Sequence, residues 1–206
     1  MAVARGGSTL LYVGGHDREV CARVAEWLQR QAWTGVILAR EAIPGTFLLH
    51  EARVDSPDAP DLIVSLGWSR ERSANGTPGL GTSDLSPSST KAGNHGSLSA
   101  YDMPNMLVAA GPDFRAGITD PLPSGNIDVA PTVLWLLGLK TEALRMDGRV
   151  LGEALTVPAP PLQSVNLARL TAHRRTSAGV WEQYLQVSEL NGVRYLDEGS
   201  GGGAGP

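Results

Sequence analysis

The sequence has little cysteine, no long apolar run and no excess of charge of one sign, and each shortage excludes a class of protein. Cys21 is the single cysteine of 206 residues, so the chain forms no internal disulfide. No apolar run approaches the roughly 20 residues that a membrane-spanning helix needs. The net charge is −4 with acidic and basic residues interspersed, which excludes a nucleic-acid footprint and gives no attraction to an anionic membrane.

The composition that remains is that of a folded domain. Hydrophobic residues make up 42% and charged residues 18%, which is typical of globular proteins, and the length suits one well-packed domain. We therefore expect a domain over residues 1–198 and a flexible glycine-rich tail over 199–206. Residues 1–11 lack a charged start, a long apolar segment and a cleavage site, so no signal peptide is predicted and the cytoplasm is the default expectation.

Strand and helix signals alternate in the first third of the chain. Residues 9–13 read as a buried strand that ends at two glycines, and Asp17 can cap a helix over 18–31. Residues at positions i, i+4, i+7 and i+8 share one face of a helix. The residues predicted to form that buried face are Val20, Val24, Trp27 and Leu28. With a second strand at 36–39, this resembles one crossover of an α/β sheet.

Later segments extend the same interpretation. Further strands are predicted at 46–50, 61–66 and 106–110, and helices at 129–137 and 164–174. Asn126 or Asp128 can cap the first of these helices, and Gly138 can end it. Residues 181–190 and 193–196 flank Asn191-Gly192, a strong hairpin signal. The expected fold is α/β, with a mixed or mostly parallel sheet, helices on its faces and a C-terminal β-hairpin.

His95 is the strongest candidate for a functional residue. Residues 69–94 are rich in serine, threonine, glycine, asparagine and proline, and they lead into Gly93-Asn94-His95-Gly96-Ser97. A loop this long favours a site, and a neutral imidazole between glycines suits a borderline metal ion. The alternative is an ordinary surface histidine. Asp102 has two equal interpretations, an orienting partner for His95 or the cap of a turn before Pro104.

Other reactive side chains have simpler interpretations. His16-Asp17 follows two glycines and looks like a ligand pair, but a turn with Asp17 as helix cap fits better. Ser97 and Ser99 lack the setting of a nucleophilic serine. Cys21 fits a small hydrophobic residue on a helix flank. No catalytic residue is assigned from these patterns.

Three segments resemble the C-terminal half of the type I phosphodiesterase/nucleotide pyrophosphatase family, within the alkaline phosphatase superfamily. They are residues 93–97, the run 102–117, and the run 124–132 together with Asp147-Gly148-Arg149. The likeness spans nearly all of residues 8–198. The resemblance implies a partial alkaline-phosphatase-like domain with a mixed or mostly parallel sheet.

The resemblance also implies a chemistry. The family hydrolyses phosphate esters with two metal ions, usually zinc, which clamp the attacking and leaving oxygens, and with a threonine or serine nucleophile. His95 matches the last histidine ligand, whereas the other ligands and the nucleophile lie earlier in full-length members and have no match here. We therefore expect half of a site, completed by a chain that carries the missing N-terminal half. The alternative is a non-catalytic binding module that retains the fold.

Overall fold

The computed structural model describes residues 1–82, 95–139, 145–157, 160–161 and 164–203. It is mostly β, with 36% strand and 18% helix in three small sheets that are rich in antiparallel pairs. The expected alkaline-phosphatase-like α/β fold, with a mostly parallel sheet between helices, is therefore wrong. The reason lies in the order in which the strands pair.

The largest sheet has five strands in the order β1-β2-β5-β3-β4. Its strands are β1 (Ala2–Ala4), β2 (Ser8–Leu11), β3 (Thr34–Ala39), β4 (Phe47–Leu48) and β5 (Leu62–Leu66). Both β2 and β3 pair with β5 in antiparallel fashion, so they run parallel to each other with β5 between them. The predicted crossover therefore exists, but the strand inserted into it makes the sheet mixed and mainly antiparallel.

Helix α1 (Arg18–Leu28) connects β2 to β3. The Asp17 carboxylate accepts the N–H groups of Glu19 and Val20 at 2.9 and 3.1 Å, which confirms the predicted cap. The predicted buried face is confirmed at Leu28 and at Val24, which packs against the core, but it is wrong at Trp27, which is 50% exposed. The residues that face the core are Cys21, Ala25 and Leu28, rotated by one position from the predicted stripe.

The chain divides into two compact units. The first contains residues 1–105, 169–186 and 196–206, and the second contains 106–168 and 187–195. The core of the first unit is built around the fully buried Trp181, whose indole N–H donates to the carbonyl of Gly45 at 3.0 Å. Beside it, the buried Gln183 amide bonds both the N–H and the carbonyl of Ile37, at 2.7 and 3.0 Å. Both polar side chains are therefore satisfied inside the core.

Two smaller sheets complete the strands. The strands β6 (Trp68–Arg72) and β7 (Pro78–Gly81) form a pair. The other sheet has the order β10-β9-β8, with β8 (Asn166–Thr176), β9 (Gly179–Leu190) and β10 (Val193–Gly203). Asn191 and Gly192 have φ values of 52° and 78°, so the predicted hairpin is confirmed with its left-handed turn.

Three segments differ from the sequence prediction. The strand β8 replaces the helix predicted at 164–174, because its alternate residues are exposed with the period of two that a strand requires. The strand β10 continues to Gly203, into the segment expected to be a flexible tail. Residues 106–110 form no buried strand, since Met106 is 89% and Val108 76% exposed.

The second unit contains helix α2 (Val129–Leu136), preceded by a 3-10 turn at Asn126–Asp128. The helix ends before Gly138, whose φ of 68° fits the predicted glycine stop. Within the part of the chain that the structure describes, no helix is long and apolar enough to cross a membrane.

Candidate functional site

The loop that carries His95 is anchored through its backbone. The carbonyl of His95 accepts the N–H of Gly7 at 2.8 Å, while its side chain is exposed. Gly96 has a φ of 85°, and a Cβ there would lie 2.9 Å from the carbonyl oxygen of Arg5. Glycine is therefore required after His95. Gly93 and Asn94 of the same motif lie outside the described residues.

Asp102 lies on a tight turn that follows His95. Its carboxylate accepts a hydrogen bond from the Ser97 hydroxyl, and its N–H donates to the Ser99 carbonyl at 3.0 Å. The Ser97 oxygen also accepts the N–H of Ser99 at 3.1 Å. Ser97 and Ser99 are buried, so these bonds fix the turn from inside. Both interpretations of Asp102 remain predictions.

The described residues do not assemble a metal centre by themselves. No group of three or more histidine, cysteine, aspartate or glutamate side chains among them could hold an ion. A hydrolytic zinc site needs about three protein ligands and an open position. His95 could hold a metal ion only together with ligands from elsewhere.

The two parts of the third resembling segment, residues 124–132 and 147–149, meet at Asp128. This carboxylate is fully buried and accepts three hydrogen bonds, from the N–H groups of Gly125 and Arg149, each at 2.8 Å, and from the Tyr195 hydroxyl at 3.1 Å. Thr132 adds a second link, because its hydroxyl donates to the Asp128 carbonyl and accepts the N–H of Leu151. Asp128 is therefore a buried connector, which its predicted capping role did not anticipate.

The same junction explains Gly148. A Cβ at this position would lie 2.1 Å from the carbonyl oxygen of Ile127, so no larger residue fits. The following residue, Arg149, is 7% exposed, and its guanidinium binds Glu153 through two bonds and the Tyr195 oxygen at 3.0 Å. Its two remaining donors reach the carbonyls of Pro123 and Val150. All partners of this arginine are therefore internal.

Burial and charge shift the pKa values in this network. Burial and the negative charge of Asp128 raise the pKa of Tyr195 to about 12, so the hydroxyl stays protonated as a donor. Burial alone would raise the pKa of Glu153, but the hydrogen bond and charge of Arg149 outweigh it and hold that pKa below its ordinary value. The polar side chains of Asp128, Arg149 and Tyr195 are thus bonded to other described residues of the second unit.

A different arrangement surrounds His16, and sequence reasoning missed its partner. The His16 Nδ1 lies 2.6 Å from Oδ1 of Asp61, which is 45 residues away in the sequence. The other oxygen, Oδ2, accepts the N–H of Val13 at 2.6 Å. The imidazole is 64% exposed while the carboxylate is 3% exposed. A buried carboxylate thus holds an exposed imidazole.

The topology of the five-stranded sheet brings this pair together. His16 follows β2, Arg40 follows β3, and Asp61 precedes β5. Because β5 is antiparallel to its neighbours, these three residues emerge at one end of the sheet. They line a cleft that is completed by Arg18, Cys21, Glu41 and Ile43.

The electrostatics of the cleft keep Asp61 ionised. Burial would raise its pKa, but the hydrogen bonds from Val13 and His16 and the charges of His16 and Arg40 outweigh burial and lower it. Burial and the negative charge of Asp61 raise the pKa of the Cys21 thiol, which makes the thiol unreactive. Arg40 Nε lies 3.8 Å from Asp61 Oδ1 and has no hydrogen-bond partner among the residues described.

Local sequence could not have revealed this pair. His16 was singled out beside Asp17, whose carboxylate is occupied as the cap of α1. Asp61 was assigned to the start of a strand, and only the order β2-β5-β3 places it against His16. A signal did exist in Gly14-Gly15, since glycines before a histidine permit the turn that exposes its ring.

Comparisons with known proteins add no assignment. The chain matches no protein-family model, no curated protein and no solved structure.

Proposed function

We propose that this chain contributes one ligand, His95, to a divalent-metal site of a phosphoric ester hydrolase whose other ligands belong to a second polypeptide. The observation that carries the proposal is an exposed histidine in the run Gly93-Asn94-His95-Gly96-Ser97. A neutral imidazole is a good zinc ligand, and an exposed ring is accessible to an ion that another chain also binds. The described residues do not complete the site, so no step of hydrolysis is assigned to them.

The exposed apolar side chains of the second unit support a partner chain. Soluble proteins rarely leave large apolar patches uncovered unless they bind something. Helix α2 exposes Val129 and Val133, and Leu137, the residue that follows it, is exposed on the same side because the three are four residues apart. Further large apolar side chains of this unit that are more than 40% exposed are Met106, Leu107, Val108, Ile118, Ile127, Leu139 and Leu167.

The same apolar surface favours a second candidate, a non-catalytic interaction module. Burying apolar side chains stabilises an association whether or not a metal ion is present. The two candidates differ in one property, which is selective metal binding at His95. The experiment must therefore measure binding at that residue and not only association.

The test is a zinc titration of the purified chain, followed by the NMR resonances of its four histidine rings. We expect the resonances of the His95 ring to shift at a lower zinc concentration than those of the exposed His173 ring. Zinc should still bind weakly, because one imidazole leaves the other positions of the ion to water. The variant His95→Ala removes that shift, and His173→Ala leaves it unchanged. A His95 ring that shifts no earlier than His173 would contradict the proposal.

Hydrolysis tests whether the chain is incomplete. With zinc added, the chain alone should hydrolyse an aryl phosphodiester no faster than its His95→Ala variant, since a lone ligand does not hold an ion stably. Zinc-dependent turnover that disappears in His95→Ala and with a chelator would show that one chain suffices. That result would contradict the need for a second polypeptide, but His95 would remain a metal ligand.

A further inference from the structure

The His16–Asp61 pair leaves one imidazole nitrogen that the fold does not use. Nδ1 is bound to the buried carboxylate, and Nε2 has no hydrogen-bond partner among the residues described, on a ring that is 64% exposed. We propose that Nε2 of His16 is a nucleophile that accepts a phosphoryl group from a small activated phosphate donor of the phosphoramidate class. The proposal is independent of His95 and of the metal site.

The first argument concerns the position of the imidazole proton. An ionised carboxylate only accepts hydrogen bonds, so the 2.6 Å contact with Asp61 requires the proton on Nδ1. In the uncharged form of the ring, the lone pair is therefore on Nε2, which is on the solvent side. A carboxylate bound to one ring nitrogen also fixes the orientation of the ring.

The second argument concerns the backbone of His16. Its φ of 52° lies in the left-handed region, which a histidine rarely adopts. Gly15 has a φ of 65°, and the N–H of His16 donates to the carbonyl of Val13 at 3.1 Å, so the turn is held in this form. Strained conformations of this kind are concentrated at functional sites. Here the turn places the ring at the mouth of the cleft while Asp61 stays buried.

A phosphoryl dianion that entered the cleft would meet charged side chains of both signs. Arg18 and Arg40 line the cleft as cations, and Glu41 and Asp61 line it as anions. Asp61 is already bound to Val13 and His16. The Arg18–Glu41 ion pair is 3.6 Å long and exposed on both sides, so it is weak, and Arg18 can turn to an incoming phosphate. Arg40 Nε is buried and faces Asp61 at 3.8 Å, so Arg40 adds positive charge behind the carboxylate, and Arg18 is the cation that an incoming phosphate reaches.

The reaction balances without a further reagent. The Nε2 lone pair attacks phosphorus and forms the N–P bond, while the P–N bond of phosphoramidate breaks. The donor amine is protonated at neutral pH, so it leaves as ammonia with its own protons. The ring keeps its proton on Nδ1 and becomes positively charged, and the adjacent Asp61 carboxylate compensates that charge. Asp61 is thus a positioning residue and His16 the acceptor.

The experiment exposes the purified chain to potassium phosphoramidate and measures the initial rate of phosphorylation at each histidine. Phosphorus NMR identifies the phosphohistidine, and tandem mass spectrometry locates it. We expect His16 to react about tenfold faster than His173, which is also exposed but lies on β8 and contacts no carboxylate among the residues described. In urea the two rates should become equal, because the Asp61 contact is lost.

Substitutions separate the named contact from general effects of charge. Asp61→Asn should lower the His16 rate to that of His173, whereas Asp17→Asn removes a neighbouring carboxylate without touching the imidazole and should leave it unchanged. Arg18→Gln should lower the rate severalfold. Equal rates at His16 and His173 in the native chain would overturn the proposal, and so would a folded Asp61→Asn variant that keeps the faster rate. Neither result bears on zinc binding at His95.

Discussion

Two buried aspartates, one in each unit, show how differently a fold can use the same side chain. Asp128 is fully buried, and its three partners are two backbone N–H groups and the buried Tyr195 hydroxyl. Asp61 is almost as buried, but one of its partners is an imidazole that is mostly exposed. The partners of the Asp128 carboxylate are themselves inside the protein, whereas the Asp61 carboxylate is hydrogen-bonded to a side chain that solvent reaches.

The difference teaches that burial of a charge does not identify a functional site. A buried carboxylate must be hydrogen-bonded in any stable protein, so Asp128 and Asp61 both meet that requirement. What separates them is the chemistry that remains after those bonds are made. The Asp128 network has no reactive atom left, whereas the Asp61 pair leaves the Nε2 of His16. The predictions below test this contrast.

The largest effect is expected at Asp128. The substitution Asp128→Ala leaves the N–H groups of Gly125 and Arg149 and the Tyr195 hydroxyl without their acceptor, which should lower the free energy of unfolding by about 3–5 kcal/mol. Urea denaturation measures the change. Asp147→Ala, at an exposed carboxylate in the same segment, should change stability by less than about 0.5 kcal/mol. If Asp128→Ala lowers the stability as little as Asp147→Ala does, the Asp128 network does not stabilise the fold.

A smaller and pH-dependent effect is expected at Asp61. Its pKa is held below the ordinary value of 3.8, so the ionised form stabilises the fold above that pH and the contribution is lost as the pH falls below it. Asp61→Asn should lower the free energy of unfolding by about 2–3 kcal/mol at neutral pH. The difference in the free energy of unfolding between this variant and the unsubstituted chain should become smaller in acid. Asp58→Asn, at an exposed site, should not change the free energy of unfolding in this way. A loss of stability in Asp61→Asn that stays the same in acid would contradict the lowered pKa of Asp61.

Tyr195 gives the corresponding test in alkali. Its pKa is raised to about 12 from 10.0, so the folded state holds the phenolic proton more tightly than the unfolded chain. That contribution is complete below pH 10 and is lost as the pH rises towards 12. Tyr195→Phe should lower the free energy of unfolding by about 1.5 kcal/mol at neutral pH, and the gap should narrow in alkali. Tyr101→Phe is the exposed control, and a Tyr195 gap that widens in alkali would exclude the raised pKa.

The elements that sequence predicted correctly are those that local chemistry determines. The cap at Asp17 needs only a carboxylate two or three residues before free N–H groups. The hairpin at Asn191-Gly192 needs only two residues that tolerate positive φ. The stop at Gly138 has the same basis. In each case the contacts that decide the structure lie within a few residues.

The failures all depend on contacts between distant residues. The insertion of β5 between β2 and β3 decides both the sheet type and the position of Asp61, and no short-range pattern encodes it. Trp27 lies one position away from the buried stripe of α1, and apolarity alone could not show which of two adjacent stripes meets the core. Residues 106–110 are apolar enough for a buried strand, yet no strand of the described structure pairs with them. At the candidate site, sequence identified His95 and His16 but not Asp61.

The smallest effect on stability is expected at His16, where the effect on reactivity should be complete. Asparagine is among the few side chains that adopt a positive φ readily, so His16→Asn keeps the turn at the observed φ of 52°. Because the imidazole is exposed, water can replace it as a donor to Asp61, and the free energy of unfolding should fall by only about 0.5 kcal/mol. The variant removes the nucleophilic nitrogen, so phosphorylation by phosphoramidate at position 16 should disappear while that of His173 continues. A loss as large as that of Asp128→Ala would place His16 with the structural network, and the contrast between the two aspartates would fail.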